Sequence, residues 1–158
     1  MFIIKGIFSG IIATIFFDIF QISLSYAYNV KKSKWNLIGR YFFFLFKEKK
    51  YYQEDIESEN FIKNELLIGY VVHYLIGSIF GIFYVALNII NYDNPSFFLA
   101  IFVGIITVLG SWCIIMPFAF NIGFFALKKN NNKQLMMQNL IAHFIFGTGL
   151  FVGYKIIF

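Results

Sequence analysis

Four long runs of apolar residues dominate the chain, and polar segments separate them. The runs cover residues 2–27, 66–90, 96–127 and 135–158, and the one long polar segment covers residues 29–64. A helix needs about 20 apolar residues, at a rise of about 1.5 Å each, to cross the hydrocarbon core of a bilayer. The pattern therefore predicts an all-α, polytopic membrane protein with four transmembrane helices in a single membrane domain.

The segment between the first two runs contains a shorter apolar stretch, WNLIGRYFFFLFK, at residues 35–47. This stretch is too short to span a bilayer, so it predicts an interfacial helix or a re-entrant piece. Trp35 and Tyr41 are expected at headgroup level, with Arg40 facing lipid phosphates. The charged stretch that follows, residues 47–60, is expected to be a solvated loop.

The third run is too long for one straight crossing and contains Pro117. Proline lacks a backbone N–H, so we expect a kink or break there that frees the carbonyl of Cys113. Cys113 is the single cysteine, so it cannot form an intrachain disulfide. The first run is longer than the apolar core of a secretory signal and is interrupted by Asp18, so we expect it to be retained.

Composition and charge support a membrane protein rather than a soluble one. Hydrophobic residues make up 59% of the chain and charged residues 13%, whereas soluble domains are typically about half apolar and a quarter charged. All but two of the 13 basic residues lie in two segments: Lys31, Lys32, Lys34, Arg40, Lys47, Lys49, Lys50 and Lys63 in the first, and Lys128, Lys129 and Lys133 in the second. The positive-inside rule makes both segments cytoplasmic and both termini external. The net charge of +5 is thus a topology signal, and the partner is the lipid bilayer rather than nucleic acid.

Small and polar residues recur every four positions in the second and fourth runs. The second run carries Glu65, Gly69, His73, Gly77 and Gly81, and the fourth carries Asn139, His143 and Gly147. Residues four apart share one face of a helix. Glycines at this spacing most often let helices approach closely, so Gly69, Gly77, Gly81 and Gly147 are predicted packing positions.

The same topology brings polar side chains from four segments to a similar depth in the cytoplasmic half. These are Asp18, His73, Asn121 and His143, with Glu65 at the cytoplasmic mouth. An aspartate at the centre of a transmembrane helix costs about 2.5–3.5 kcal/mol, so ionisable groups there are candidates for function. Asp18, Glu65, His73 and His143 are the candidate acid–base residues, and Arg40, Asn121 and Asn139 are candidate substrate-binding residues. His73, His143 and Asp18 are also candidate ligands for a divalent metal such as zinc or iron. The alternative is that these groups only hydrogen-bond between helices.

A short internal repeat is visible. HYLIGS at residues 73–78 resembles HFIFGT at 143–148, and the preceding helices share GIIAT at 10–14 and GIITV at 104–108. Such a repeat predicts two tandem helical hairpins with the same orientation.

These residues together resemble a family of small bacterial membrane proteins known as domain of unknown function 2938. The resemblance covers nearly the whole chain and rests on Asp18, WNLIGR at 35–40, Glu65 with IGYVVHYLIG at 68–77, Pro117 with Gly123, and NLIAHFIFGTGL at 139–150. It implies a four-helix protein of the bacterial inner membrane and carries no assigned activity. Two features depart from the family pattern: FAFNIG after Pro117 lacks expected glycines, and Gln53 stands where a loop histidine is usual.

Three functions remain open at this point. The polar layer could be a metal-binding or acid–base site that opens to the cytoplasm. It could serve a small proton-coupled transporter, which with only four helices would need a homo-oligomer. It could also be structural, in a scaffold or accessory subunit, so the sequence leaves open whether the protein is an enzyme.

Overall fold

The computed structural model describes residues 2–30, 33–90 and 94–157. Its helices are α1 (Phe2–Tyr28), α2 (Trp35–Glu48), α3 (Glu65–Ile90), α4 (Phe97–Gly110) and α5 (Asn132–Ile157), with a π-helical segment (Ser111–Ala119) after α4 and a 3₁₀ turn (Phe124–Ala126). No strand occurs in these ranges, which confirms the all-α prediction. Lys31 and Lys32, part of the predicted topology signal, and residues 91–93 of the second connection lie outside the described residues.

Among the described residues, four helices are long and apolar enough to cross a membrane. They are Phe2–Tyr28, Glu65–Ile90, Phe97–Ala119 and Asn132–Ile156. Their bounds agree within a few residues with three of the four predicted spans. Within the third predicted span, 96–127, the spanning helix covers Phe97–Ala119, and a 3₁₀ turn follows at Phe124–Ala126.

The chain divides into two compact units. The first contains residues 1–32, 74–108 and 140–158, and the second contains residues 33–73 and 109–139.

In the first unit, glycines of the predicted repeat form two equivalent helix contacts. A Cβ added to Gly10 of α1 would lie 2.2 Å from the carbonyl oxygen of Gly77 in α3. One added to Gly104 of α4 would lie 2.7 Å from Cα of Gly147 in α5. The hydroxyl that follows each of the two later glycines donates to the carbonyl four residues before it, Ser78 to Tyr74 and Thr148 to Phe144. The two helix pairs therefore make contact at matching positions of the repeat, and the arrangement as tandem hairpins stays a prediction.

In the second unit, α2 packs its apolar face into a core rather than onto a lipid surface. Leu37, Tyr41 and Phe44 recur at helical spacing and are buried together with Ile56 and Ala119. Tyr41 is only 3% exposed, so it packs inside the protein, and its predicted depth at headgroup level stays a prediction. Burial raises the pKa of the Tyr41 phenol, which stays un-ionised in this core.

The charged stretch after α2 is not simply a solvated loop. The helix ends at Glu48, and the φ of 58° at its C-cap residue Lys49 turns the chain back. The N–H of Lys50 then donates to the carbonyl of Phe44 over 3.2 Å. The loop then buries Gln53 and Ile56, which are 0% and 2% exposed. Because the loop carries many charged residues, the sequence pattern did not predict that Gln53 and Ile56 are buried.

The helix around Pro117 is π-helical rather than α-helical, and it ends at Ala119, two residues after the proline. The backbone widens into the π-helical segment from Ser111 to Ala119, where N–H groups donate to the carbonyl five residues earlier, as Phe120 does to Ile115 over 3.2 Å. In this geometry the carbonyl that loses its donor at Pro117 is that of Trp112, not Cys113 as predicted.

Candidate functional site

The aspartate of α1 is hydrogen-bonded to a tyrosine of α3 within the first unit. Tyr74 Oη donates to Asp18 Oδ2 over 3.1 Å, and both side chains are half-buried. The two helices contact each other at Gly10 and Gly77, about two turns before Asp18 and one turn after Tyr74. The phenol thus places a hydroxyl proton beside the carboxylate.

The histidine of α5 is hydrogen-bonded to a threonine of α4, also in the first unit. Thr107 Oγ1 lies 2.7 Å from His143 Nδ1 and 2.5 Å from the carbonyl oxygen of Gly104. A hydroxyl has one proton, and a carbonyl oxygen can only accept. Because two oxygens at 2.5 Å need a proton between them, Thr107 donates to Gly104 and accepts from Nδ1–H of His143. The neutral imidazole is therefore the Nδ1–H tautomer, with its lone pair on Nε2.

Both of these pairs involve the middle of α1, through Asp18 itself and through Phe17. The ring of Phe17, which precedes Asp18, meets the His143 ring edge-on with centroids 5.4 Å apart. Asp18 and His143 are thus the two ionisable candidate side chains of the first unit, each positioned by a hydroxyl of a neighbouring helix.

In the second unit, Glu65 forms a two-point ion pair with Arg40. Arg40 Nε donates to Oε2 over 2.7 Å and Nη2 donates to Oε1 over 3.0 Å. Asn36 Nδ2 donates to Oε1 over 3.0 Å. The two helices touch closely here, since a Cβ on Gly39 would lie 1.8 Å from the carbonyl oxygen of Glu65 and one on Gly69 would lie 1.9 Å from that of Trp35.

Arg40 also fixes the loop after α2. Its Nη1 donates to the carbonyls of Ile56 and Glu59, over 3.0 and 2.9 Å. All three guanidinium nitrogens therefore donate within the protein, and the pairing with Glu65 raises the pKa of Arg40 above its ordinary value. The expectation that Arg40 faces lipid phosphates is wrong, because a carboxylate and backbone carbonyls bind this residue at 7% exposure.

His73 is stacked on Trp35. Their ring centroids are 3.9 Å apart and the planes are inclined by 26°. This contact belongs to the second unit, whereas Asp18 and His143 belong to the first. The predicted single layer of Asp18, His73 and His143 stays a prediction.

The two candidate asparagines bond locally. Asn121 Nδ2 donates to the carbonyl of Glu54 over 3.1 Å, and Asn121 Oδ1 accepts from Lys128 Nζ over 2.6 Å. Asn139 Nδ2 donates to the carbonyl of Leu135, one turn earlier in α5, over 3.1 Å. Their predicted substrate-binding role stays a prediction.

Metal coordination gains no support from the described residues. Across 2–30, 33–90 and 94–157, no three His, Cys, Asp or Glu side chains come together in a group that could hold a metal ion. The three-ligand hypothesis for His73, His143 and Asp18 therefore stays a prediction, as does the acid–base hypothesis.

The remaining predicted packing glycines lie at close helix contacts. A Cβ would lie 2.0 Å from Thr14 Oγ1 at Gly77, 2.1 Å from the carbonyl oxygen of Gly6 at Gly81, and 2.7 Å from that of Ala100 at Gly147. A real Cβ cannot approach this closely, so each contact needs the missing side chain.

Sequence reasoning missed the partners of the candidate residues. The hydrogen bonds just described come from Tyr74, Thr107 and Asn36, none of which the sequence pattern indicated as a partner. The stacking of Trp35 on His73 was not predicted either. Thr107 lies in GIITV and Tyr74 in HYLIGS, so the repeat motifs contained a signal for both. The burial of Gln53 had no indication in the sequence except that this glutamine departs from the family pattern.

Comparison with curated proteins and with solved structures finds no match. A model of the family described as "Protein of unknown function (DUF2938)" matches residues 7–157, nearly the whole chain. The chain is therefore a member of the DUF2938 family.

Proposed function

We propose that this protein moves protons across or into a membrane, alone or coupled to a solute, and that Asp18 and His143 are the groups that exchange them. Four helices of membrane-spanning length and composition support an integral membrane protein. Ionisable side chains within such helices mark proton and ion pathways more often than chance packing. Both side chains lie within these helices, in the first unit.

The geometry at Thr107 carries this proposal. Because its hydroxyl donates to Gly104, the imidazole of His143 presents Nδ1–H to Thr107 and holds its lone pair at Nε2. A histidine whose tautomer is set by a hydrogen bond at one ring nitrogen is an arrangement that general bases and proton carriers use.

The Asp18–Tyr74 pair supports the same role. The phenol donates to the carboxylate while Asp18 is ionised, and the hydrogen bond can reverse when Asp18 is protonated. Asp18 can thus change protonation state without losing its partner.

The proposed orientation in the membrane rests on the distribution of basic residues along the chain. The positive-inside rule supports cytoplasmic positions for residues 29–64 and 128–133 and external positions for both termini. The bacterial inner membrane is the compartment that the family resemblance implies, and a homo-oligomer would supply the additional helices that a transport path needs.

The test is proton uptake into vesicles. Purified protein is reconstituted with an entrapped pH-sensitive dye, and a potassium diffusion potential drives uptake. We expect wild-type vesicles to acidify faster than protein-free vesicles, and Asp18→Asn and His143→Gln to reduce the rate to background. Thr148→Val is the control, because this hydroxyl bonds only within α5 in the contact described, and it should leave the rate unchanged. Wild-type rates equal to empty vesicles, or full rates in both variants, would reject the proposal.

A structural role in an accessory subunit is the second candidate. The close glycine contacts of the first unit favour it, since they are typical of helices whose function is to associate. Under this hypothesis the two substitutions lower stability and leave vesicle acidification at background in every variant, including wild type.

A further inference from the structure

The connection between the last two candidate spans turns two large apolar side chains outward. These spans are Phe97–Ala119 and Asn132–Ile156, and the connection between them belongs to the second unit. Phe124 is 50% exposed and Leu127 is 70% exposed, whereas Ala126 between them is 0% exposed. In a membrane-spanning chain, a connection this short lies at the bilayer surface, because both of its ends belong to spanning helices.

The backbone holds these two side chains in their outward positions. Phe125 and Ala126 adopt positive φ angles of 53° and 54°, a left-handed conformation that is unfavourable for residues with a Cβ. The N–H of Leu127 donates to the carbonyl of Phe124 over 3.1 Å. The ring of Phe125 packs on that of Trp112, with centroids 5.5 Å apart. The outward positions therefore belong to a packed turn and not to a loose loop.

Three exposed lysines follow the two apolar side chains. They are Lys128, Lys129 and Lys133, and the sequence contains no acidic residue after Asp93. None of the three forms an ion pair within residues 2–30, 33–90 and 94–157. Lys128 Nζ donates to an amide oxygen, Oδ1 of Asn121, over 2.6 Å. An amide carries no net charge, so the positive charge of this segment is not compensated within it.

The other polar segment of the second unit differs in its charge balance. Residues 47–63 contain four lysines and five acidic residues. Ion pairs join Lys50 to Glu59 and Lys34 to Glu57. That segment therefore carries its own counter-ions, whereas the lysines at 128–133 are available to an anion from outside the protein.

We propose that residues 124–133 form a docking surface for an anionic phospholipid of the surrounding bilayer. The lysines contact the headgroup phosphate, and Phe124 and Leu127 insert beside it among the acyl chains. Apolar side chains next to lysines are the combination with which interfacial segments bind anionic membranes. A soluble polyanion would pair with the lysines and leave the two apolar side chains in water, so the lipid is the better complement.

This lipid-docking surface is separate from the proton-exchange groups and does not depend on them. Asp18 and His143 belong to the first unit, and residues 124–133 belong to the second. Failure of either proposal therefore leaves the other standing.

The first test is native mass spectrometry of the full chain, released from neutral detergent micelles after titration with phosphatidylglycerol or with phosphatidylcholine of the same acyl chains. We expect the wild type to bind phosphatidylglycerol at least about tenfold more tightly, since each lysine near an anionic surface contributes about fivefold. Lys128→Gln/Lys129→Gln/Lys133→Gln should abolish this preference. The corresponding triple change to arginine keeps the charges and should retain it.

The matched control is Lys47→Gln/Lys49→Gln/Lys63→Gln. It removes the same charge from three exposed lysines of the same unit and should retain the preference for phosphatidylglycerol. Equal affinities of the wild type for the two lipids, or equal losses in the two glutamine variants, would overturn the proposal. Release of phosphatidylglycerol by millimolar inorganic phosphate would assign the lysines to a free anion and would overturn it as well.

The second test measures insertion of the apolar side chains. Leu127→Cys in a Cys113→Ala background is labelled with an environment-sensitive dye and reconstituted into vesicles that contain phosphatidylglycerol. We expect blue-shifted emission, as for a dye among acyl chains, and a return towards the emission in water when the three lysines are changed to glutamine. Emission of a fully hydrated dye in the protein with its lysines intact would exclude a lipid as the occupant.

Discussion

Arg40 and Glu65 form a two-point ion pair between residues 25 positions apart in the chain, with Nε–Oε2 and Nη2–Oε1 distances of 2.7 and 3.0 Å. The pair joins the middle of α2 to the first residue of α3, and Nη1 of the same arginine holds the loop between them. One guanidinium therefore fixes three parts of the second unit. This arrangement explains why a loop rich in charge is ordered enough to bury Gln53 and Ile56.

Breaking this pair on one side should destabilise the protein strongly. Arg40→Met leaves the Glu65 carboxylate buried without its counter-ion, and such changes typically cost about 3–5 kcal/mol. The double variant Arg40→Met/Glu65→Met removes both charges and should recover a large part of the loss. Unfolding in mixed detergent micelles measures both.

The control for that experiment is the ion pair between Lys34 and Glu57, whose side chains are 46% and 61% exposed. Lys34→Met should change the free energy of unfolding by about 0–1 kcal/mol, because solvent screens exposed pairs. Equal losses for Arg40→Met and Lys34→Met would contradict a special role for the buried pair.

The close glycine contacts in the first unit predict the effect of two alanine substitutions on stability. Gly10→Ala and Gly104→Ala each introduce a Cβ against a facing helix, at 2.2 Å from the carbonyl oxygen of Gly77 and 2.5 Å from that of His143. Overpacking of this kind costs about 1–3 kcal/mol. Gly110→Ala is the matched control, since a Cβ there meets nothing within 4 Å, and it should be neutral or slightly stabilising. Loss of stability in Gly110→Ala equal to that of the other two would indicate a general effect of alanine.

The tautomer of His143 can be observed directly. In the wild type, ¹⁵N NMR of histidine-labelled protein should show a protonated Nδ1 and an unprotonated Nε2 for the neutral ring. Thr107→Val removes the acceptor while keeping the side-chain shape, so the tautomer preference should weaken. A wild-type spectrum with the proton on Nε2 would show instead that Thr107 donates to the ring.

Loss of the hydrogen bond to Asp18 should lower the free energy of unfolding by less than loss of the buried ion pair does. Tyr74→Phe removes the donor and should lower the free energy of unfolding by about 0.6–2 kcal/mol, the range for polar contacts between membrane helices. Tyr70→Phe, one turn earlier on α3 and exposed, should change it less. The same variants tested for proton uptake separate the roles, because a loss of rate in Tyr74→Phe with stability retained indicates that the phenol takes part in proton exchange.

Apolar run length and four-residue spacing determined most of the architecture from sequence alone. Runs of about 25 apolar residues can satisfy their backbone only as helices in a bilayer, so the four candidate spans followed directly. Spacing of four also indicated which glycines lie on one face of α3 and α5, since it depends only on helix geometry. The repeat motifs likewise contained the glycines that meet in pairs, Gly10 with Gly77 and Gly104 with Gly147.

Only the tertiary structure decided the partners of the polar side chains. Glu65 pairs with Arg40, Asp18 with Tyr74 and His143 with Thr107, across separations of 25, 56 and 36 residues. Helical periodicity specifies the face on which a side chain lies, but not the helix that covers that face or the rotation of that helix about its axis. The sequence did not predict the burial of Gln53 or the π-helical geometry at Pro117, for a related reason. Both depend on how the loop after α2 packs against residues 118–121, a contact between segments more than 60 residues apart that no local pattern encodes.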